Sequence, residues 1–117
     1  MTASDRAIEL TRAAAAAAED KLAQDVLAFD VSDQLAITDV FLLASGSNPL
    51  QVKAVQDAVE ETLLAHGAKR LRREGEREGR WVLLDFGEVV VHVQHSEERA
   101  FYALERLWSD CPTIPLS

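Results

Sequence analysis

Two histidines three residues apart, His92 and His95, are the first groups in this sequence that could hold a metal. A zinc site needs three or four ligands converging on one point. On a strand and the turn after it, two residues at this offset leave on different faces, and no third ligand lies nearby in sequence. A half-buried histidine and a turn histidine account for the pair. Cys111 is the single cysteine and stands beside Pro112 with no paired base, so the sequence offers no activated thiol. It also cannot form an internal disulfide, which suits a reducing cytoplasm. Gly46-Ser47 follows an apolar run, where two-metal nucleotidyl transfer would begin its site. That chemistry needs a close pair of carboxylates on the next strand. The next segment reads instead as a helix, and its Asp57, Glu60 and Glu61 are the charges of a solvated face. Glu74-x-Glu76-x-Glu78 falls in a charged loop, and no glycine-rich phosphate cradle is present. These residues predict a protein that is not an enzyme and takes no metal and no cofactor.

Composition narrows the remaining options. The 117 residues are 48% hydrophobic and 27% charged, enough for one core and one domain spanning 1–117. No apolar run approaches the roughly 20 residues of a membrane helix. Arg6, Arg12 and the six alanines Ala13 to Ala18 faintly resemble a signal peptide, but Glu19, Asp20 and Lys21 follow at once, so an uncleaved helix is expected. The net charge is −8 although residues 69 to 80 hold six basic and three acidic side chains. Proteins that grip phosphates show the opposite balance, so little direct nucleic-acid contact is expected. An acidic body suits a basic protein partner.

The elements that would carry a binding surface emerge from local pattern. Residues 5 to about 21 form a helix, Gln24 to Val31 a strand, and Ile37 to Ala44 a second strand whose Val40 to Leu43 run suits a central position. Asn48 caps the next helix, Pro49 takes its first position, Gln51 forms a variant capping box, and Gly67 stops it. A short edge strand near Lys69 to Arg72 and a mobile loop from Arg73 to Gly79 come next. Arg80 to Gln94 is a hairpin about Gly87-Glu88 that pairs Phe86 with Val89, Leu84 with Val91 and Val82 with Val93. That face is apolar throughout and must be buried. Ser96 would cap a last helix with Phe101, Leu104, Leu107 and Trp108 as its apolar stripe, and a flexible tail would begin at about 110. The order α-β-β-α-β-β-β-α predicts an α/β (α+β-like) fold, a mixed sheet of about five strands with three helices packed on it. Trp81, Leu83, Val90 and His92 project from the second face of the hairpin and Tyr102 from the last helix, the makings of an interface centre. Covering of that face by a helix is the competing reading. An apolar patch used part-time also predicts a homodimer when the protein is free.

At these residues the chain resembles the Iojap family, the bacterial ribosomal silencing factors. The resemblance runs from about Ala18 to Trp108. It is strongest in Trp81-Val82-Leu83-Leu84-Asp85-Phe86-Gly87 with Val89-Val90-Val91-His92, and in Arg99-x-Phe101-Tyr102-x-Leu104-Glu105-x-Leu107-Trp108. Thr38-Asp39-Val40-Phe41 and Gln51-Val52 add to it. It implies a nucleotidyltransferase-like but non-catalytic fold in the cytoplasm. It further implies docking on the large ribosomal subunit, through its subunit-interface protein number fourteen, and obstruction of small-subunit joining when nutrients are scarce. Carried over to this sequence, the docking patch includes Trp81, Phe86 and Tyr102. Glu88 replaces the family's usual Asp, and Asn48-Pro49 replaces a small hydroxyl residue, which leaves the role of the Gly46-Pro49 loop open. The alternatives are an enzyme of the nucleotidyltransferase type, degenerate or active, and a scaffold module with a non-ribosomal partner.

Overall fold

In the computed structural model, which describes residues 2–116, Ser4 turns the chain into its first helix, α1 (Asp5–Asp20). Its hydroxyl accepts a hydrogen bond from the Ala7 amide at 3.0 Å. The alanine run then serves packing: Ala7, Ala14, Ala15 and Ala18 are fully buried, and α1 lies against α2 (Pro49–Ala65). Asn48 caps α2 by accepting from the Gln51 amide at 2.9 Å, as expected. Gln51 does not complete a capping box. Its carbonyl accepts from the Ser47 amide at 2.7 Å and the Ser47 hydroxyl at 3.0 Å, and its amide donates to the Lys21 and Leu22 carbonyls. One side chain thus ties the Gly46-Pro49 loop to the end of α1.

Five strands, β1 (Gln24–Asp30), β2 (Val40–Gly46), β3 (Arg72–Glu74), β4 (Trp81–Asp85) and β5 (Val89–His95), form one mixed sheet in the order β1-β2-β5-β4-β3. β2 and β5 are parallel neighbours at its centre, and the other pairs are antiparallel. The β4–β5 register is the one the alternation dictates, with Val82 opposite Val93, Leu84 opposite Val91 and Leu83 opposite His92. Gly87 makes the tight turn at φ +87°, a conformation that a side chain would strain. α1 and α2 cover the sheet face that carries Val40, Leu42, Ala44, Val82, Leu84, Val89, Val91 and Val93, the main core. A smaller core of Phe29, Val31, Leu43 and Cys111 lies on the opposite face, flanked by Leu104 and Trp108.

The structure departs from the expected elements in several places. β2 starts at Val40, because the Asp39 and Val40 amides both donate to the Glu88 carbonyl and leave Ile37 outside the sheet. β3 begins three residues later than expected, pairing Arg72 with Asp85 and Glu74 with Leu83. The last helix is two pieces, α3 (Ser96–Tyr102) and α4 (Leu104–Leu107), broken at Ala103 with φ +46°. Its cap is the His95 ring, which accepts from the Glu97 amide at 3.1 Å, and not Ser96. The break separates the expected stripe: Leu104 and Trp108 fold back onto the small core, while Phe101 and Leu107 are 80% and 70% exposed. Finally, the chain after residue 110 is not a free tail. The Asp30 amide donates to the Pro112 carbonyl at 2.8 Å, the Ile114 amide donates to the Ala28 carbonyl at 2.9 Å, and Cys111 and Ile114 are buried.

Gly75 (φ +80°) packs so closely under β4 that a Cβ there would collide with the Trp81 carbonyl oxygen. Gly75→Ala should therefore cost about 2–4 kcal/mol, from left-handed strain plus the clash. Urea denaturation of the variant beside the native chain measures it.

Candidate protein-docking surface

The second face of the sheet carries Phe41, Leu43 and Ser45 from β2, Val90, His92 and Gln94 from β5, and Trp81 and Leu83 from β4. Among the described residues α3, α4, the C-terminal segment and the β1–β2 connection with Val31 and Leu35 lie over it, and their cover is incomplete. What results is a row of rings in successive contact. Phe101 meets Tyr102 at 5.0 Å between centroids, Tyr102 meets Trp81 at 4.9 Å, and Trp81 meets His92 at 6.1 Å. His92 meets Phe41 at 5.1 Å, and Phe41 meets Trp108 at 5.1 Å. The row holds every Phe, Trp and Tyr of the chain except Phe29 and Phe86. Each edge-on or tilted pair adds about 0.5–1.5 kcal/mol beyond simple burial, so the row is held in place before any partner arrives.

Burial grades along it. Phe101 is 80% and Tyr102 50% exposed, Trp81 is half-buried, and His92 is only 6% exposed. The Trp81 indole N–H donates to His92 Nδ1 at 3.1 Å, which fixes the neutral imidazole with its proton on Nε2. Burial pushes His92 down to about 4. Next to Trp81, Arg80 clamps the start of α3 through Nη2 to Glu97 at 3.0 Å and Nε to Glu98 at 2.8 Å. The hydrogen bond from Arg80 holds the Glu97 carboxyl below its usual range. The clamp keeps α3, and with it Tyr102, over the edge of the hairpin.

Of the residues expected in the patch, Trp81, Leu83, Val90, His92 and Tyr102 share this face, with Val90 buried and Leu83 half-buried. Phe86 does not. It follows Val82 and Leu84 in the alternation, points into the main core and is 8% exposed. Sequence reasoning missed Phe101, Leu107, Phe41 and Trp108 as members of this surface. Phe101 and Leu107 were placed in a core stripe, and nothing in Tyr102-Ala103-Leu104 announces a left-handed break. The other chemical candidates are engaged elsewhere. His95 caps α3, Ser47 is bound by Gln51, Asp57 pairs with Lys53 at 3.3 Å, and Glu60 pairs with Arg70 and Arg73. Burial, followed by Asp110, raises the Cys111 thiol. Among the described residues no group of three His, Cys, Asp or Glu side chains could hold a metal ion, and no helix is long and apolar enough to cross a membrane.

An aromatic row running out to solvent on an α+β domain is a candidate surface for a macromolecular partner. Comparison with known proteins gives the family. Residues 4–117 match the family described as "Ribosomal silencing factor during starvation", and the chain belongs to that family. It is 42% identical over 108 residues to the ribosomal silencing factor of Halalkalibacterium halodurans, covering 92% of each chain. It is 41% identical over 107 residues to that of Bacillus subtilis, covering 92% of this chain and 91% of the other. A crystal structure of a protein from Chromobacterium violaceum superposes with a TM-score of 0.83 at 35% identity, over 86% of this chain and 84% of that one.

The buried His92 makes stability depend on pH. Its folded value of about 4 lies below the 6.5 of a free histidine, so between the two the unfolded chain binds a proton that the folded chain refuses. Stability should be full above 6.5 and fall by about 3 kcal/mol in total as pH drops toward 4. Denaturation at pH 7.5, 6 and 5 measures the slope, and His92→Gln should flatten it over that interval.

Proposed function

We propose that the protein silences the ribosome by docking and not by catalysis. It binds the large subunit through the exposed end of the aromatic row, and its bulk then obstructs joining of the small subunit. The reading rests on one observation above all: Phe101, Tyr102 and Trp81 form a continuous, partly exposed ring cluster on a member of the ribosomal silencing factor family. The partner is the subunit-interface protein number fourteen of the large subunit. The overall charge of −8 supports a basic protein as partner and little direct contact with RNA. The site of action is the cytoplasm. In the free protein the same face, with Leu107 at its margin, favours pairing with a second copy, which opens on docking. No enzyme activity is part of this reading, since Ser47 and the nearby carboxylates are held in internal hydrogen bonds and ion pairs.

Association of purified subunits in a density gradient tests the mechanism. Excess factor should lower the fraction of joined ribosomes, and an unchanged profile would refute the proposal. Tyr102→Ala should weaken binding to large subunits by about 2–4 kcal/mol, as expected of a central aromatic anchor, with a stability loss of about 1–2 kcal/mol from its two ring contacts. Trp81→Ala should weaken binding comparably but destabilise the fold further, because it also strips the buried His92 of its hydrogen-bond donor. Affinity and melting temperature of the two variants separate anchor from core.

A further inference from the structure

Arg99 lies on the inner side of α3 and is 4% exposed. Its Nε donates to both carboxylate oxygens of Glu105, at 3.2 and 3.1 Å. The other end of the guanidinium is unanswered: Nη1 and Nη2 are both buried and meet no hydrogen-bond acceptor among the described residues. A buried charged donor left without a partner is among the least favourable arrangements in a fold. Arg99 lines a cavity of about 340 Å³ together with Asp25, Ser45, Ser96, Glu105 and Arg106. The cavity opens over the carboxyl-terminal ends of the parallel strands β2 and β5, between the sheet and the α3–α4 segment. Gln94, the register partner of Ser45 on the same sheet face, is fully buried and its side-chain amide is also unpartnered.

We propose that this cavity is a binding site for a small oxyanion, a carboxylate or a phosphate group, received by the guanidinium fork of Arg99. A planar guanidinium answers two oxygens of such a group at once, which an ammonium cannot do. Arg106 brings a second cation to the exposed side, and the Ser96 hydroxyl adds a neutral donor. Ser45 contributes no proton, because its hydroxyl already donates to the Gln24 carbonyl at 2.9 Å. The two carboxylates set the charge the site accepts. Glu105 is satisfied by Arg99 Nε, while Asp25 opposes a dianion and so favours a singly charged ligand. The site is separate from the docking row: Arg99, Ala100 and Ala103 line the cavity, whereas Phe101 and Tyr102 carry the exposed rings. It stands whether or not the ribosomal reading does.

Titration of the full chain with sodium acetate and with sodium phosphate, followed by amide NMR shifts at pH 7, tests the proposal, with sodium chloride at matched ionic strength as reference. Saturable shifts at Ser96, Ala100 and Ala103 are expected with at least one oxyanion and not with chloride. Tighter saturation by acetate assigns the site to carboxylates, and tighter saturation by phosphate assigns it to phosphate groups. Arg99→Lys should weaken binding about tenfold, since charge remains but the fork is lost. Should that buried substitution unfold the chain, the exposed Arg106→Gln should still weaken binding about threefold, the scale of one partly screened charge. Shifts that chloride reproduces, or equal affinity in native and Arg106→Gln proteins, would overturn it.

Discussion

The parallel pairing of β2 with β5 buries the centre of the sheet on both faces, and most of the remaining structure answers that demand. β5 is buried from Val89 to Gln94, and β2 keeps only Phe41 half-buried. One face is served by two full helices whose alanines allow close approach. The other has a seven-residue helix, a single turn of a second one, the β1–β2 connection with Val31 and Leu35, and the C-terminal segment bridged to β1 at Phe29 and Thr113. This cover is too small to reach the β4 side. Rings of about 150–250 Å² each extend the apolar layer past it, and the last of them stand in solvent. The proposed docking surface is thus the unfinished edge of a core.

Ion pairs within the molecule cancel the locally basic stretch. The basic island at 69 to 80 is largely neutralised within the molecule: Arg70 and Arg73 meet Glu60, Arg72 meets Glu74, and Arg80 meets Glu97 and Glu98. Arg73 also approaches Glu76 at 2.6 Å. Exposed pairs of this kind add little stability, but they cancel a local positive field that would otherwise draw phosphates. Arg80 in addition ties the hairpin to α3, so its two ion pairs also hold Tyr102 against Trp81.

Where a short-range rule governs, the sequence was readable. Period-two alternation around Gly87 set the hairpin register, and Asn48-Pro49 set the start of α2. The mixed five-stranded sheet came from the order of elements. Long-range packing was not readable. Tyr102-Ala103-Leu104 consists of acceptable helix residues, and the break at Ala103 arises because Leu104 and Trp108 are needed over Phe41 and Leu43. The docking of residues 111–114 on β1 had no local signal either. Phe86 is a different case. Alternation places it with Val82 and Leu84 in the core, and family resemblance set that parity aside. For the aromatic row, the sequence pointed to Trp81, His92 and Tyr102 but could not show that His92 is buried or that Phe101 closes the row.

We propose that the chain meets the ribosome through this aromatic face and not through its helical side. Hydrogen–deuterium exchange of the factor, alone and with purified large subunits, addresses it directly. Binding should slow exchange in Trp81–Leu83 and in Glu98–Leu107, and leave the outer surfaces of α1 and α2 unchanged. Protection confined to α1 and α2, with Phe101 to Leu107 exchanging as in the free protein, would contradict the account.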